Sequence, residues 1–199
     1  MRKVIANEFL SLDGVAQAPG GAEEDTDGGF AHGGWHMQYM DDELAQQWVL
    51  GSIVEAGGFL LGRRTYDIFA GFWPTAPEEE QVVAEPLNTK PKYVASRTLA
   101  GPLEWQNSTL LEGDVPEAVA ALKQEELGDL HVIGSIDLLQ TLVAHDLVDE
   151  FRLMIDPVVL GGGKRIFPGD GSLRQLRLLD GKIASTGAIL ATYAPAAAR

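Results

Sequence analysis

The sequence Phe59-Leu60-Leu61-Gly62-Arg63-Arg64-Thr65-Tyr66-Asp67 changes from apolar to polar within a few residues. Its first three residues are typical of a short buried strand, and the part from Gly62 onward predicts a helix that ends near Gly71. The first N–H groups of such a helix have no partner inside it, and two adjacent guanidiniums add charge and donors. With only 15 basic residues in the chain, this turn is a candidate site for a phosphate. A solvated arginine pair with Thr65 capping the helix is the alternative.

Two later strands are predicted to end in the same kind of polar turn. Val94-Ala95 runs into Ser96-Arg97-Thr98, whose hydroxyls and guanidinium can hold a phosphate monoester. Val132-Ile133 runs into Gly134-Ser135 and a predicted helix from Ile136, which suits a pyrophosphate at a helix N-terminus. A plain polar turn would look the same at either place. The glycine-rich fingerprints Gly-x-Gly-x-x-Gly and Gly-x-x-x-x-Gly-Lys-Ser/Thr do not occur in the sequence.

Around these turns, strand patterns alternate with helix patterns along most of the chain. Further strands are predicted over Lys3–Leu10, Lys92–Ser96, Leu130–Ile133 and Glu150–Leu160, and further helices over Asp41–Ala56, Pro116–Leu127 and Ile136–Ala144. Residues 74–91 are predicted as loop, with a short helix at most over 78–85. The last two extended segments, Arg174–Leu179 and Ala188–Tyr193, have no helix between them. The sequence therefore predicts one α/β domain over 1–199, with a mainly parallel central sheet flanked by helices and an antiparallel C-terminal hairpin.

The connection from Ser11 to Gly34 is unusually long for a compact domain. It contains seven glycines and four acidic residues, Glu23, Glu24, Asp25 and Asp27. Connections of this length are usually lids or binding loops, or else disordered. We expect a mobile segment that takes part in binding.

Composition narrows the class of protein. The net charge is −14, which repels nucleic-acid backbones, and the absence of cysteine excludes disulfides and thiolate chemistry. The N-terminal residues do not resemble a signal peptide, and no apolar run is long enough to cross a membrane. We expect a cytoplasmic protein that binds neither nucleic acid nor membranes.

A metal site is not expected. His32 and His36 have the spacing of two ligands on one helix turn, but Gly33-Gly34 between them makes a helix improbable there. Trp35 and Met40 are candidates for the wall of a pocket that holds an aromatic substrate, with core packing as the alternative.

Taken together, these turns resemble the dihydrofolate reductase-like fold, and more closely the family built on the C-terminal reductase domain of riboflavin biosynthesis. The stretches that carry the resemblance follow the family's order along nearly the whole chain: Ser11–Gly14, Leu61–Asp67, Lys92–Leu99, Val132–Ser135, Leu147–Glu150 and Pro157–Gly161.

The resemblance implies an NADPH-dependent reductase that passes hydride from the nicotinamide to a planar heterocycle of pterin, flavin or pyrimidine type. It implies that the adenosine 2′-phosphate is held by residues at the first two turns: Gly62, Arg63, Arg64, Thr65, Ser96 and Arg97. It places the pyrophosphate at the third turn, on Gly134, Ser135 and Ile136. Ala6 and the Ser11–Gly14 stretch, which includes Gly14, would border the nicotinamide. Asp13 joins Trp35 and Met40 as a candidate substrate contact.

The sequence also differs at two places from the motifs of the families that it resembles. Reductases of the riboflavin pathway commonly have Glu-Gly-Gly where this chain has Ile133-Gly134-Ser135, which argues against their ribosylamino-pyrimidine substrate. Folate reductases anchor the pterin with an acid on the first helix, but the spacing here points to Gln46 and Gln47. No catalytic residue or proton donor is therefore assigned.

Two other functions fit the same sequence. One is a non-catalytic nucleotide- or pterin-binding protein of the same fold, and the other is a dimeric interaction protein that uses its final strands. A homodimer is expected in any of these cases, since symmetric pairs are the commonest oligomers.

Overall fold

The computed structural model describes residues 1–196, which are organised around one eight-stranded sheet in the order β4-β3-β2-β5-β1-β6-β8-β7. The strands are β1 (Val4–Ser11), β2 (Gly58–Gly62), β3 (Lys92–Ala95), β4 (Ser108–Leu110), β5 (Leu130–Ile133), β6 (Glu150–Asp156), β7 (Leu176–Ile183) and β8 (Ile189–Pro195). The first six strands pair in parallel, and β8 pairs antiparallel with both β6 and β7. The predicted fold class is confirmed. The last three residues of the predicted domain, 197–199, lie outside the described residues.

Five helices cover the two faces of the sheet: α1 (Glu43–Val54), α2 (Arg63–Phe72), α3 (Gln81–Thr89), α4 (Val115–Leu122) and α5 (Ile136–Ala144). On one face, Phe59 and Leu61 of β2 share a buried cluster with residues of α1, α2 and α3. On the other face, Leu60 shares a cluster with residues of α4 and α5. Because neighbouring side chains of a strand point to opposite faces, the apolar run of β2 supplies both cores. None of the helices within residues 1–196 is long and apolar enough to span a bilayer.

Several elements differ from the prediction: α4 ends at Leu122 rather than Leu127, and β7 covers Leu176–Ile183 rather than Arg174–Leu179. Residues 81–89 form a helix that contains Pro86, where the sequence predicts mostly loop. The proline removes one N–H donor, but Ala84 and Leu87 of the same helix are buried, so packing favours the helix despite that loss. Strand β6 ends at Asp156 rather than at Leu160, because Pro157 cannot donate a ladder hydrogen bond.

The glycine-rich segment 11–34 is tied down along its length. Gln17 is buried, and its side-chain amide donates to the carbonyls of Asp25 and Asp27 at 3.1 and 3.0 Å. Its Oε1 accepts from the backbone N–H of Lys164 at 3.0 Å. Gly33 lies so close to Ala22 that a Cβ at this position would be 2.4 Å from the Ala22 carbonyl oxygen. This close approach folds the segment back on itself.

Candidate functional site

Helices α2 and α5 begin next to each other, on opposite faces of the sheet. The backbone N–H of Gly62 donates to Ser135 Oγ at 2.8 Å. A Cβ on Gly134 would lie 3.5 Å from Thr65 Oγ1. The structure thus brings together the first and third of the polar turns. Their position at the carboxyl ends of β2 and β5 is where open α/β sheets bind ligands.

The first turns of both helices have N–H groups that no side chain caps, as far as residues 1–196 show. The Ser135 hydroxyl occupies the capping position of α5, but it accepts from Gly62 instead. Gly134 and Ser135 both have left-handed backbone conformations, with φ of 60° and 63°. Adjacent helix N-termini with free N–H groups form a region of positive potential, which suits a pyrophosphate.

The second polar turn joins this region through Arg63. Its guanidinium Nη1 donates to Thr98 Oγ1 at 2.6 Å, while Nε pairs with Asp67 at 3.3 Å on the same helix. Ser96 Oγ accepts from the backbone N–H groups of Thr98 and Leu99, at 3.1 and 2.9 Å. Arg97 next to them is exposed. Two guanidiniums and two hydroxyls therefore lie at one exposed corner, which we call the arginine corner (Arg63, Ser96, Arg97 and Thr98).

Arg64 is not part of this corner. Its guanidinium forms ion pairs with Asp27 and, at 3.4 Å, with Asp25, both in the glycine-rich segment. Lys164 pairs with the same two acids, at 2.6 Å for Asp25 and 3.0 Å for Asp27. Hydrogen bonds from Lys164 and Arg64 hold the pKa of Asp27 below its usual range. Arg64 thus anchors the glycine-rich segment through these acids; its contact with a phosphate stays a prediction.

Strand β1 has an open edge at its carboxyl end. Strand β5 pairs with β1 only from Val4 to Asn7, whereas β6 continues along the other edge as far as Ser11. No strand within the described part of the chain follows β5 alongside residues 8–11 of β1. This edge of β1, over residues 8–11, is therefore left unpaired by β5 beside the turn that starts α5; we call it the β1 slot.

Ala6 does not reach the β1 slot. It pairs with Val132 on one side and Phe151 on the other, and its side chain is fully buried in the core. The contact of Ala6 with a nicotinamide stays a prediction. Gly14 is partly exposed near the end of the slot, where its φ of 81° completes a turn in which its N–H donates to the Ser11 carbonyl at 2.9 Å.

Glu8, at the start of the β1 slot, is a residue that the sequence-based reasoning missed. Only 4% of its surface is exposed, and Oε1 has no hydrogen-bond partner within residues 1–196. Burial raises its pKa well above the usual value, and the nearby charge of Glu24 raises it further. The sequence did contain a signal for this residue: an acid lies inside a mostly apolar strand, and glutamate is rarely buried without a partner.

A second buried pair lies on the opposite face of β1. His36 Nδ1 is 2.7 Å from Asp156 Oδ2, both side chains are almost fully buried, and Phe9 stacks on the imidazole at 3.7 Å between ring centres. His36 Nε2 and Asp156 Oδ1 have no partner among the described residues. Burial raises the pKa of Asp156.

The predicted substrate contacts have other partners. Asp13 accepts from Ser11 Oγ at 2.7 Å and from the backbone N–H groups of Leu160 and Gly161, at 3.1 and 2.9 Å. Trp35 is buried and donates to the Gln17 carbonyl at 2.9 Å. Met40 packs beside α1 in the cluster around Met154. The three side chains do not line a shared pocket. Asp13 and Trp35 make hydrogen bonds that hold the glycine-rich segment, and Met40 packs against α1.

The described residues also differ from the ligand sets that metal ions need. No group of three or more His, Asp or Glu side chains in residues 1–196 could hold an ion.

The order of the sheet, parallel over six strands and closed by an antiparallel hairpin, is that of a dihydrofolate reductase-like fold. A model of the RibD C-terminal domain family matches residues 2–190, so the chain belongs to that family. An uncharacterised protein of Bacillus subtilis (strain 168), YyaP, is 29% identical over 195 residues, which cover 96% of this chain and 94% of YyaP.

Solved structures share the fold at low identity. A pyrimidine reductase-like protein from Corynebacterium diphtheriae matches with a TM-score of 0.67 and 13% identity, over 99% of this chain and 93% of that one. Dihydrofolate reductase from Enterococcus faecalis, solved in complex with NADP(H), matches with a TM-score of 0.55 and 14% identity, over 97% and 96%. These likenesses confirm the predicted fold family.

Proposed function

We propose that this protein is an NADPH-dependent reductase that transfers hydride to a planar heterocycle of pterin, flavin or pyrimidine type. The observation that carries the proposal is the hydrogen bond between Gly62 and Ser135, which places two uncapped helix N-termini side by side. Membership of a family of reductase domains supports the same conclusion.

The residues present fit a dinucleotide with a 2′-phosphate. The pyrophosphate would lie over the first turns of α2 and α5, where Gly134 and Ser135 leave room for the close approach of oxygen atoms. Arg63, Arg97, Ser96 and Thr98 would hold the 2′-phosphate with charge-assisted hydrogen bonds. The Arg63–Thr98 contact orients one of these donors before any ligand arrives, which lowers the entropy that binding must overcome.

The reduced nicotinamide would supply the hydride when bound. The chain's own part is then to orient the ring and to exclude water, and such positioning accounts for much of the rate in cofactor enzymes. The β1 slot is the place for the ring, because backbone groups of residues 8–11 have no strand neighbour there.

The test is a titration of the protein with NADPH and NADH, followed by nicotinamide fluorescence. We expect tighter binding of NADPH, and a 10- to 100-fold loss of NADPH affinity in R63A and in R97A, since a hydrogen bond to a charged group contributes about 1.5–3 kcal/mol. Both variants should bind NADH as the wild type does, because NADH lacks the 2′-phosphate.

The matched control is R177A, which removes an exposed arginine on β7, far along the sheet order from β2 and β3. It should bind NADPH normally. Equal affinity for both dinucleotides, or an equal loss in R63A and R177A, contradicts the proposal. Turnover with a panel of pterins, flavins and uracils then separates a reductase from a protein that only binds nucleotides.

A further inference from the structure

We infer that Glu8 is the acid that donates the proton in the reduction, from a position beside the nicotinamide in the β1 slot. The inference rests on the proposed function and adds to it the group that the sequence left unassigned. Glu8 would be a catalytic residue in the strict sense, because its carboxyl group would contact the reacting atoms.

The position of Glu8 follows from strand register. Strand β5 ends at Ile133, level with Asn7, so Glu8 is the first residue of β1 beyond it. The turn Gly134-Ser135 and the start of α5 come directly after Ile133, which puts the predicted pyrophosphate position and Glu8 around the same strand end. Glu8 is the one ionisable residue within Val4–Ser11, so it is the group of this strand that could exchange a proton with a ligand that runs from the helix N-termini toward β1.

The surroundings of Glu8 favour a carboxylic acid over a carboxylate. Ala6 and Leu10 share its face of β1, and its register partner on β6 is Leu153, all of them apolar. His131 and Arg152 belong to the opposite face, where His131 contacts the Asn7 side chain and Arg152 is the register partner of Asn7. No cation among residues 1–196 pairs with Glu8, and the charge that acts on it is the negative one of Glu24. Burial and the negative charge of Glu24 both raise the pKa of Glu8, which favours its protonated form.

The glycine-rich segment that carries Glu24 is held by hydrogen bonds and ion pairs. Glu24 Oε2 accepts from the N–H groups of Gly20 and Gly21, at 2.8 and 3.0 Å, which fixes the carboxylate whose charge raises the pKa of Glu8. Next to Glu24, Asp25 forms an ion pair with Lys164, and Asp27 forms one with Arg64. Oε1 of Glu8 therefore has a hydrogen-bonding capacity that no described residue uses.

The reaction balances with the reduced dinucleotide as the only reductant. The C=N carbon of the heterocycle gains the hydride, and the electron pair of the π bond moves to the nitrogen. That nitrogen takes the proton from the Glu8 carboxyl group, so one C–H and one N–H bond form while the Glu8 O–H bond breaks. The heterocycle is reduced by two electrons, the dinucleotide is oxidised by two, and the Glu8 carboxylate recovers its proton from water.

The test uses protein labelled with ¹³C at the glutamate side-chain carboxyl carbons. Comparison of the wild type with E8Q identifies the Glu8 resonance by NMR, and E8D provides a second assignment if E8Q does not fold. We expect this resonance to have the shift of a protonated carboxyl at pH 7 and to move when NADPH is added. E112Q, at an exposed position outside the site, should leave the resonance and its response unchanged.

Activity gives a second, separate readout. E8Q should bind NADPH within about twofold of the wild type but lose at least 100-fold in turnover with any heterocycle that the wild type reduces, as expected for a lost general acid. An ionised Glu8 at pH 7, a resonance that NADPH does not move although it binds, or full turnover in E8Q would each overturn the inference. Failure of NADPH to bind the wild type would instead refute the proposed function.

Discussion

The backbone N–H of Gly62 donates a 2.8 Å hydrogen bond to Ser135 Oγ, and this contact joins two helix N-termini that are 73 residues apart in sequence. Ser135 holds this position with a left-handed backbone, at φ 63°. One hydroxyl therefore fixes the spacing of the two turns over which a pyrophosphate would lie.

Removal of this hydroxyl should lower stability and cofactor affinity together. S135A leaves the Gly62 N–H without its partner, so we expect the free energy of unfolding to fall by about 1 kcal/mol, the usual value for one hydrogen bond. The affinities for NADPH and NADH should fall by the same factor, since both carry the pyrophosphate. Urea unfolding and fluorescence titration measure the two effects.

S135G is the control. It removes the same hydroxyl, but glycine adopts a positive φ without steric cost, so its stability should lie closer to that of the wild type. Equal destabilisation in S135A and S135G would mean that backbone conformation at this position contributes nothing.

The two adjacent arginines should behave differently when each is replaced. Arg63 contacts Thr98 in the arginine corner, whereas Arg64 is engaged with Asp25 and Asp27. We expect R63A to weaken NADPH binding at least tenfold, by the loss of a charge-assisted contact, and R64A to weaken it less. R64A should instead increase hydrogen exchange in residues 20–29, which R63A should not. An equal loss of NADPH affinity in both variants would place Arg64 on the phosphate.

Much of this architecture could be predicted from the sequence. Strand β5 and helix α5 have the predicted bounds, because their apolar spacing is clean and Gly134-Ser135 separates them. Helix α3 was predicted only in part, as a short helix at most over 78–85, since Pro86 is a strong local signal against a helix and only tertiary burial of Ala84 and Leu87 outweighs it.

The polar turns of the candidate site could be predicted from the sequence, but the partners of their side chains could not. Local sequence shows that Arg63 and Arg64 are adjacent, but consecutive residues on a helix point in different directions, and only the fold decides which one meets Asp27. Glu8 was missed for a related reason: the early end of β5 is a property of the sheet, and a strand pattern does not reveal it.

Asp13 should make stability depend on pH in the acid range. Hydrogen bonds from the Ser11 hydroxyl and from the Leu160 and Gly161 N–H groups lower its pKa to about 2. Because the folded pKa lies below the unfolded value of about 4, the stabilisation is complete above pH 4 and is lost as the pH falls through 2.

The measurement is urea unfolding of the wild type and D13N at steps from pH 6 to pH 2. The wild type should be the more stable protein at pH 6, and the difference in unfolding free energy should shrink below pH 4. A difference that stays constant down to pH 2 would exclude this role for the Asp13 charge.

Gly57 and Gly128, which precede β2 and β5, lie too close together for either to carry a side chain without a shift of the backbone. A Cβ on Gly57 would be 2.2 Å from the backbone carbon of Gly128, so G57A forces the two segments apart. We expect a loss of about 1–3 kcal/mol in the free energy of unfolding, as for other overpacked sites. G71A in α2, where a Cβ meets no atom within 4 Å, should be neutral or stabilise by up to about 1 kcal/mol. Similar Tm values for the two variants would contradict this expectation.

The central place of β1 has a consequence for how the chain is synthesised and folds. Its neighbours are β5 and β6, so Val4 pairs with Leu130 and Ile5 with Glu150. On the ribosome, the strand that carries Glu8 emerges long before either partner exists, and contacts of such long range slow folding. Residues 4–11 are therefore made well before β5 and β6 and cannot complete their pairing until both strands exist, and until then their apolar edge is exposed to chaperones and to aggregation.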